Sequence, residues 1–475
     1  NSNSDNLLLK VHAYTNNFLT ENTTCFINQT DGFKLEYLPG MMIHDSCYAT
    51  NNLDISKASE FGSVAIGAEA ESSGANSIAI GYAAKATFEN SFVLGTGAVA
   101  DGVGAGAIGA GAQSLGTDAM AVGVNAKSSS TSSFALGTNS SSSGIDASAF
   151  GVNATASGTN AVAVGTNSTA SGTNALAFGS QAFADKDNSF VVGASAQACG
   201  VNSGAIGAAA IANGANSIAL GVKSFAKDDS SMALGTNARA TGTQATAIAI
   251  NASASGINSL AAGVQALAKG TNSTAISAFS TATGDNSVAV GVDSKAEGTS
   301  AMAFGTNASA TGDGAMAFGA NAGATATNAT AIGQSARATS QNALALGLYS
   351  EASGEVAVAI GMNSAALAKD TLAAGAYATA GDTNAIAIGT HSSANFVNTM
   401  AIGTSAVANA TNAMAIGTRA QALTLDAFAA GLEATANGNN STALGKLAIA
   451  SGTNSFAVGS QANASGINSM AYGTE

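Results

Sequence analysis

From Ser63 onward, large apolar residues come in pairs with one small residue between them, as in Val64-Ala65-Ile66, Ile78-Ala79-Ile80 and Met120-Ala121-Val122. The pair returns every fourteen residues. Twenty-nine full copies run from Ser63 to Asn468, seven residues of a thirtieth follow, and no copy carries an insertion or deletion. With Ser63 as position 1, position 3 is Ala in 28 of 30 copies, the exceptions being Val93 and Val191. Position 4 is Val, Ile, Leu, Phe or Tyr in 27 of 30, with Ala262, Ala374 and Ala430 as exceptions. Position 8 is Ala or Ser throughout, and position 10 is Ala in 25 copies and Ser in the other four. Position 5 is Gly except at Ala249 and Ser277, while Gly at position 12 and Asn at position 14 each appear in 18 of 29 copies. Position 2 is usually large but lapses to Gly106, Ser148, Gly204 and several Thr, and positions 6, 7, 9, 11 and 13 vary as a solvated face does.

Alternation of β-branched or aromatic residues with Ala over positions 2 to 4 predicts a strand. Positions 8 to 10 predict a second short strand of small residues. Gly at position 5 supplies backbone freedom for one corner, and Gly at 12 with Asn at 14 suits the other. A helix is disfavoured, because each Gly costs about 1 kcal/mol there relative to Ala. Each copy is therefore one coil of strand, turn, strand, turn. Coils stacking as parallel strands about 4.8 Å apart make a rod of roughly 140 Å for the whole array.

Side-chain direction then divides the coil. Neighbours on a strand point to opposite faces, and the short turns leave only a narrow gap between the two strands. Ala at position 3 and Ala or Ser at positions 8 and 10 fit that gap, so Ala65, Ala70, Ala79 and Ala84 are expected inside the roll. The large residues at positions 2 and 4 then point out: Val64, Ile66, Ile78, Ile80, Phe92, Leu94, Met120 and Val122 belong to one apolar stripe. Monomers rarely expose more than a few hundred Å² of contiguous apolar surface. Burying one rung of two medium side chains in a partner contributes on the order of 2–4 kcal/mol. The pattern thus implies a homo-oligomer whose true core lies between subunits.

Composition narrows the functional classes. Only 9% of residues are charged and 5% aromatic, Trp is absent, and the net charge is −13 with 15 Lys and Arg. Nucleic-acid binders carry basic patches, so such a partner is not expected. No run of about 20 apolar residues occurs, so no transmembrane helix is expected. The chain begins without Met and stops mid-phrase at "SMAYGTE", as a processed chain or fragment does. Three His, three Cys and scattered carboxylates form no metal spacing, triad or paired acids, so neither catalysis nor a cofactor is expected. No G-x-x-x-x-G-K-[ST] phosphate loop is present, and His391, at position 7, reads as a solvated surface residue. Cys199 reads as a tolerated surface substitution. Sequons such as Asn22, Asn28, Asn139, Asn167 and Asn307 acquire meaning only in a glycosylating pathway. That origin would favour a eukaryotic virus or cell surface over a bacterium.

Residues 1–62 differ in kind. "LLLKVHAY", "TCFINQT" and "GFKLEYLPGMMIH" hold most of the bulky non-repeat residues, consistent with a small β-rich domain. Two roles remain open for it: a cap or joint that protects the first coil, as solenoids require, or a receptor-binding tip. Cys25 and Cys47 lie in this segment. They form either a disulfide, as in secreted proteins, or two reduced thiols.

The phrase S-V-A-I-G-x-x-A-x-A-x-G-x-N resembles the head repeat of the trimeric autotransporter adhesins, the YadA-like adhesins of Gram-negative bacteria, over residues 63–475. The resemblance implies an all-β, left-handed parallel β-roll of fourteen-residue coils with three chains side by side around an axis. It further implies a homotrimeric extracellular adhesin, anchored to an outer membrane only through segments absent from this chain, that binds a host cell-surface or matrix protein or glycan. Neck, heptad stalk and membrane barrel motifs of that family are not found in the sequence. Similar repeats occur in phage and viral fibres, which leaves a structural shaft of a virion fibre or extracellular filament as the alternative. Ice binding is disfavoured, since position 6 reads Thr96, Ala110, Val124, Thr138, Val152 and forms no uniform Thr ladder.

Overall fold

The computed structural model describes residues 56–473. The chain divides into two compact units, 1–174 and 175–475. Each unit is all-β in its described part and is built from the same coil.

In the first unit every coil holds a three-residue strand at positions 2–4, such as Val64–Ile66, and a two-residue strand at positions 9–10, such as Glu71–Ser72. Long strands pair in parallel with long strands and short with short, always fourteen residues apart: Val64↔Ile78, Ala65↔Ala79, Ile66↔Ile80, and Glu71↔Lys85. The ladder reaches back before Ser63, since Lys57–Ala58 pairs with Glu71–Ser72. The second unit repeats this from Leu176–Phe178 to Met470–Gly473 with the same register, as in Val288↔Met302 and Lys295↔Ser309. The expected parallel solenoid of fourteen-residue coils is the observed fold.

The short strand is shorter than the sequence suggests. Position 8 closes the preceding turn instead, with the Ala70 amide donating to the Gly67 carbonyl at 3.1 Å. The opposite turn does the same through Ser77 N–H and the Gly74 carbonyl at 3.2 Å. The coil is thus two similar seven-residue halves, in which positions 1 and 8, 3 and 10, 5 and 12, and 7 and 14 correspond.

Turns are stacked as tightly as strands. Gly81 N–H donates to the Ile66 carbonyl at 2.8 Å, Ala83 N–H to Ala68 at 2.9 Å, and Asn90 N–H to Ala75 at 2.9 Å. Even corner backbone is therefore hydrogen-bonded to the adjacent coil, as buried backbone must be. An inserted residue would break this ladder, which explains the uninterrupted period.

The interior is small side chains only. Ala65, Ala79 and Ala84 have no exposed surface, Ala70 has 1%, and Val93 and Val191 are equally buried. Position 1, which carries no functional signal in the sequence, joins this interior: it is Ser, Ala or Thr in every copy. Its hydroxyls are mostly satisfied locally, Ser77 Oγ donating to the Gly74 carbonyl at 2.6 Å and Thr371 Oγ1 to Ala368 at 2.6 Å, while those of Ser273, Ser455 and Ser469 are buried without a protein partner. Position 8 hydroxyls repeat the device, as in Ser294 Oγ to the Gly291 carbonyl at 2.8 Å. An acceptor three residues back offsets the cost of burying most of these hydroxyls in so thin a core.

Candidate interaction surface

Positions 2 and 4 face away from the interior in both units. In the first unit Val64, Ile66, Ile78 and Leu94 are 37–50% exposed, while Ile80, Phe92, Met120 and Val122 are half-buried. The second unit continues the pattern with Leu220, Ile332, Leu346 and Ile388 exposed. Half of each side chain is already covered, because the rungs above and below lie one strand spacing away. The area left for a partner is worth about 1 kcal/mol per side chain, or roughly 2 per rung, the lower end of the sequence-based expectation.

The lapses at position 2 have a cause. Phe92 is followed one coil later by Gly106, and its ring lies where a Gly106 Cβ would be. Phe190 lies over Gly204 in the same way. Phe134 precedes Ser148, and Phe428 precedes Thr442. Gly106 and Gly204 are thus the seats of the preceding rings, so the stripe stays apolar at those two coils where the sequence reads as interrupted. Aromatic contacts reinforce it: Phe134 and Phe150 sit 5.2 Å apart, tilted by 59°, and Phe304 stacks on Phe318 at 4.9 Å.

Two columns of the turns carry an order that sequence reading missed. Positions 7 and 14 both adopt left-handed backbone in every coil, for example Glu69 at φ 57° and Asn76 at φ 58°. Position 7 is therefore a mostly exposed, variable position with a fixed backbone conformation. Asn tolerates this conformation best after Gly, and its amides form ladders along each unit. Asn153 Nδ2 donates to Asn167 Oδ1 at 3.0 Å, and Asn272 Nδ2 to Asn286 Oδ1 at 3.0 Å. The abundance of Asn was the available signal at position 14. At position 7 it was masked by Tyr349, Arg419 and Leu447, which take the same φ of 53–57°.

The two glycine columns differ in reason. At position 5, Gly305 has φ 132°, and a Cβ there would stand 2.5 Å from the Gly319 carbonyl oxygen. At position 12 the backbone of Gly284 is not left-handed, and a Cβ would instead collide with the Gly298 carbonyl. The expected turn role for position 12 is thus a close approach between coils.

The remaining candidates do not assemble a reaction centre. His391 is exposed and stacks on Tyr377 at 4.8 Å. Cys199 is half-buried; burial pushes its thiol up, and the nearby Asp185 carboxylate adds to this. Cys25 and Cys47 lie outside the described residues. Among the described residues no three His, Cys, Asp or Glu side chains gather to hold a metal, and no helix is long and apolar enough to cross a membrane.

Comparison with known proteins adds to this geometry. A search of curated proteins finds no match. Among solved structures, the collagen-binding domain of the Yersinia adhesin YadA is similar at 23% identity, over 40% of this chain and 67% of that one, with a TM-score of 0.15. The YadA head domain repeat matches fifteen segments, beginning at residues 58–84 and 72–98 and ending at 425–448 and 450–475. These matches cover most of the solenoid in the same register as its coils, and the chain belongs to the YadA head-repeat family.

Proposed function

We propose that the protein is the head of a surface-exposed homotrimeric fibre that attaches to host cells or matrix. The carrying observation is the apolar stripe of positions 2 and 4. It is present in nearly every coil, and a single roll leaves it partly in water. In the proposed trimer Val64, Ile66, Ile78, Ile80, Phe92, Leu94, Met120 and Val122 meet their counterparts from the other two chains. Among the described residues no other apolar face has comparable continuity. A partner spread over many rungs also accords with a surface that repeats one rung along each unit. Because the structurally similar Yersinia domain is described as collagen-binding, a fibrous matrix protein is the first partner class to test.

Sedimentation equilibrium of the chain should give three times the monomer mass; a folded monomer at micromolar concentration overturns the trimer. Collagen- and fibronectin-coated surfaces should retain the protein, and loss of that retention with trimer-disrupting substitutions ties adhesion to assembly. A trimer that adheres to no matrix protein, cell or glycan points to the alternative, a structural shaft in which length is the function.

A further inference from the structure

The opposite face of the coil, formed by positions 9 and 11 of the short strand, is irregular in composition but not in geometry. In the second unit one stretch of it stands out. Along position 9 the parallel register places Ile211, Phe225, Arg239, Ser253 and Leu267 on consecutive coils in one straight column. Two residues along the strand, about 6.6 Å away at 3.3 Å per residue, position 11 carries Lys227 beside Phe225 and Lys269 beside Leu267. Lys223 stands at the turn on the other side. Residues 217–272 therefore hold four cations and two carboxylates, in a chain whose net charge is −13.

Those two carboxylates are engaged. Asp229 Oδ1 accepts from the Ala215 amide at 2.9 Å, and Asp228 lies 3.6 Å from Lys227. Among the described residues, Lys223, Arg239 and Lys269 take part in no ion pair and are exposed. The Arg239 guanidinium sits over the Phe225 ring, 5.2 Å from its centre, a cation–π contact between consecutive coils.

We propose that this column is a binding site for a linear anionic polysaccharide, sulfated or carboxylated, running along the stacked coils. Apolar and cationic side chains lie side by side there on a strip two side chains wide, Phe225 beside Lys227 and below Arg239, and Leu267 beside Lys269. An acidic glycan chain presents both features together: C–H faces of its rings for Ile211, Phe225 and Leu267, and acidic groups for Arg239, Lys227 and Lys269. A nucleic acid carries a denser charge and would meet the acidic remainder of the chain, so sparse charge fits better. The site deepens the adhesive reading by naming a ligand class, and it lies on the face opposite the proposed subunit contact.

The test is binding to immobilised heparin across a salt series. The wild-type chain should bind, and binding should weaken as salt rises. The combined variant Lys227→Glu, Arg239→Glu and Lys269→Glu should bind roughly tenfold more weakly or worse. The control Lys295→Glu, Arg337→Glu and Lys369→Glu, on other coils, should bind as wild type. Phe225→Ala should lose binding without any change of charge. Matching circular dichroism and sedimentation separate lost binding from lost fold. Absence of heparin binding, or equal loss in the control variant, overturns the site. Stronger competition by single- or double-stranded DNA than by dextran sulfate also overturns it, in favour of a nucleic-acid surface. Cell attachment that survives enzymatic removal of surface glycosaminoglycans overturns the site while leaving the adhesive reading standing. Heparin binding without cell attachment does the reverse.

Discussion

The two outward faces of one coil obey the same backbone geometry, yet their compositions differ completely. Position 4 is large and apolar in 27 of 30 copies, while position 9 runs through Glu71, Lys85, Val99, Gln113 and Lys127 in its first five. Both are exposed or half-buried on a single chain, so the fold of the roll does not require the difference. The proposed trimer would account for it, by placing a constraint from outside the chain on one face and not on the other. The turns give a second contrast of the same kind. Position 5 stays Gly because the backbone there enters a region closed to other residues, whereas position 7 accepts almost anything because left-handed φ near 55° costs other residues only about 1–2 kcal/mol.

Substitutions should separate the two faces. The largest effect is expected from Ile66→Asp and Ile388→Asp, which place a charge in the proposed subunit contact. Each should cost several kcal/mol of assembly free energy through an unpaired buried charge. Sedimentation velocity and local amide exchange read this out, with Glu71→Lys on the other face as the neutral comparison. Equal damage from both faces would reverse their assignment. Next comes Gly305→Ala, which must hold a Cβ against the Gly319 carbonyl at unfavourable φ. It should destabilise by about 1–3 kcal/mol, measured by denaturant unfolding. The converse pair is Ala249→Gly and Ser277→Gly, since these residues already sit at φ 98° and 101°. Each should gain about 1 kcal/mol as strain is relieved, and a loss would mean that those coils have adapted to the side chain. Removing one ladder amide by Asn272→Ala should cost about 0.5–1 kcal/mol. Smallest is the reactivity of Cys199: with its thiol pushed up by burial, alkylation near neutral pH should be slower than for a solvated thiol and should accelerate on unfolding.

Ala65 could be placed from the sequence because its neighbours Val64 and Ile66 alternate with it, and alternation on a strand has one geometric meaning. The period, the strand at positions 2–4, the parallel stacking and the small interior were all legible on that basis. The short strand was overestimated by one residue because Ala70 is as small as Ala65, and smallness alone does not separate a strand from the close of a turn. Gly106 and Gly204 read as gaps because their filling comes from a different coil, through Phe92 and Phe190. The order at position 7 was invisible for another reason: a conformation stabilised by hydrogen bonds between coils leaves little mark on which residue adopts it. The cationic column of Arg239, Lys227 and Lys269 is scattered over more than forty residues and becomes one strip only when the coils are stacked.

The hydrogen bonds between coils join each coil only to the one before it and the one after it, some donated forward, as from Val64 N–H to the Ser77 carbonyl, and some backward, as from Gly81 N–H to the Ile66 carbonyl, and this fixes how a unit responds to load. A pull on a chain terminus meets one coil at a time, so the array should unreel from its end instead of shearing as a block. Each released coil frees fourteen residues, roughly 46–50 Å of contour at full extension, in place of about 4.8 Å of stacked height. A unit made this way stays stiff at low force and, beyond a threshold, lengthens about tenfold per coil lost, which would give the proposed attachment fibre a built-in shock absorber.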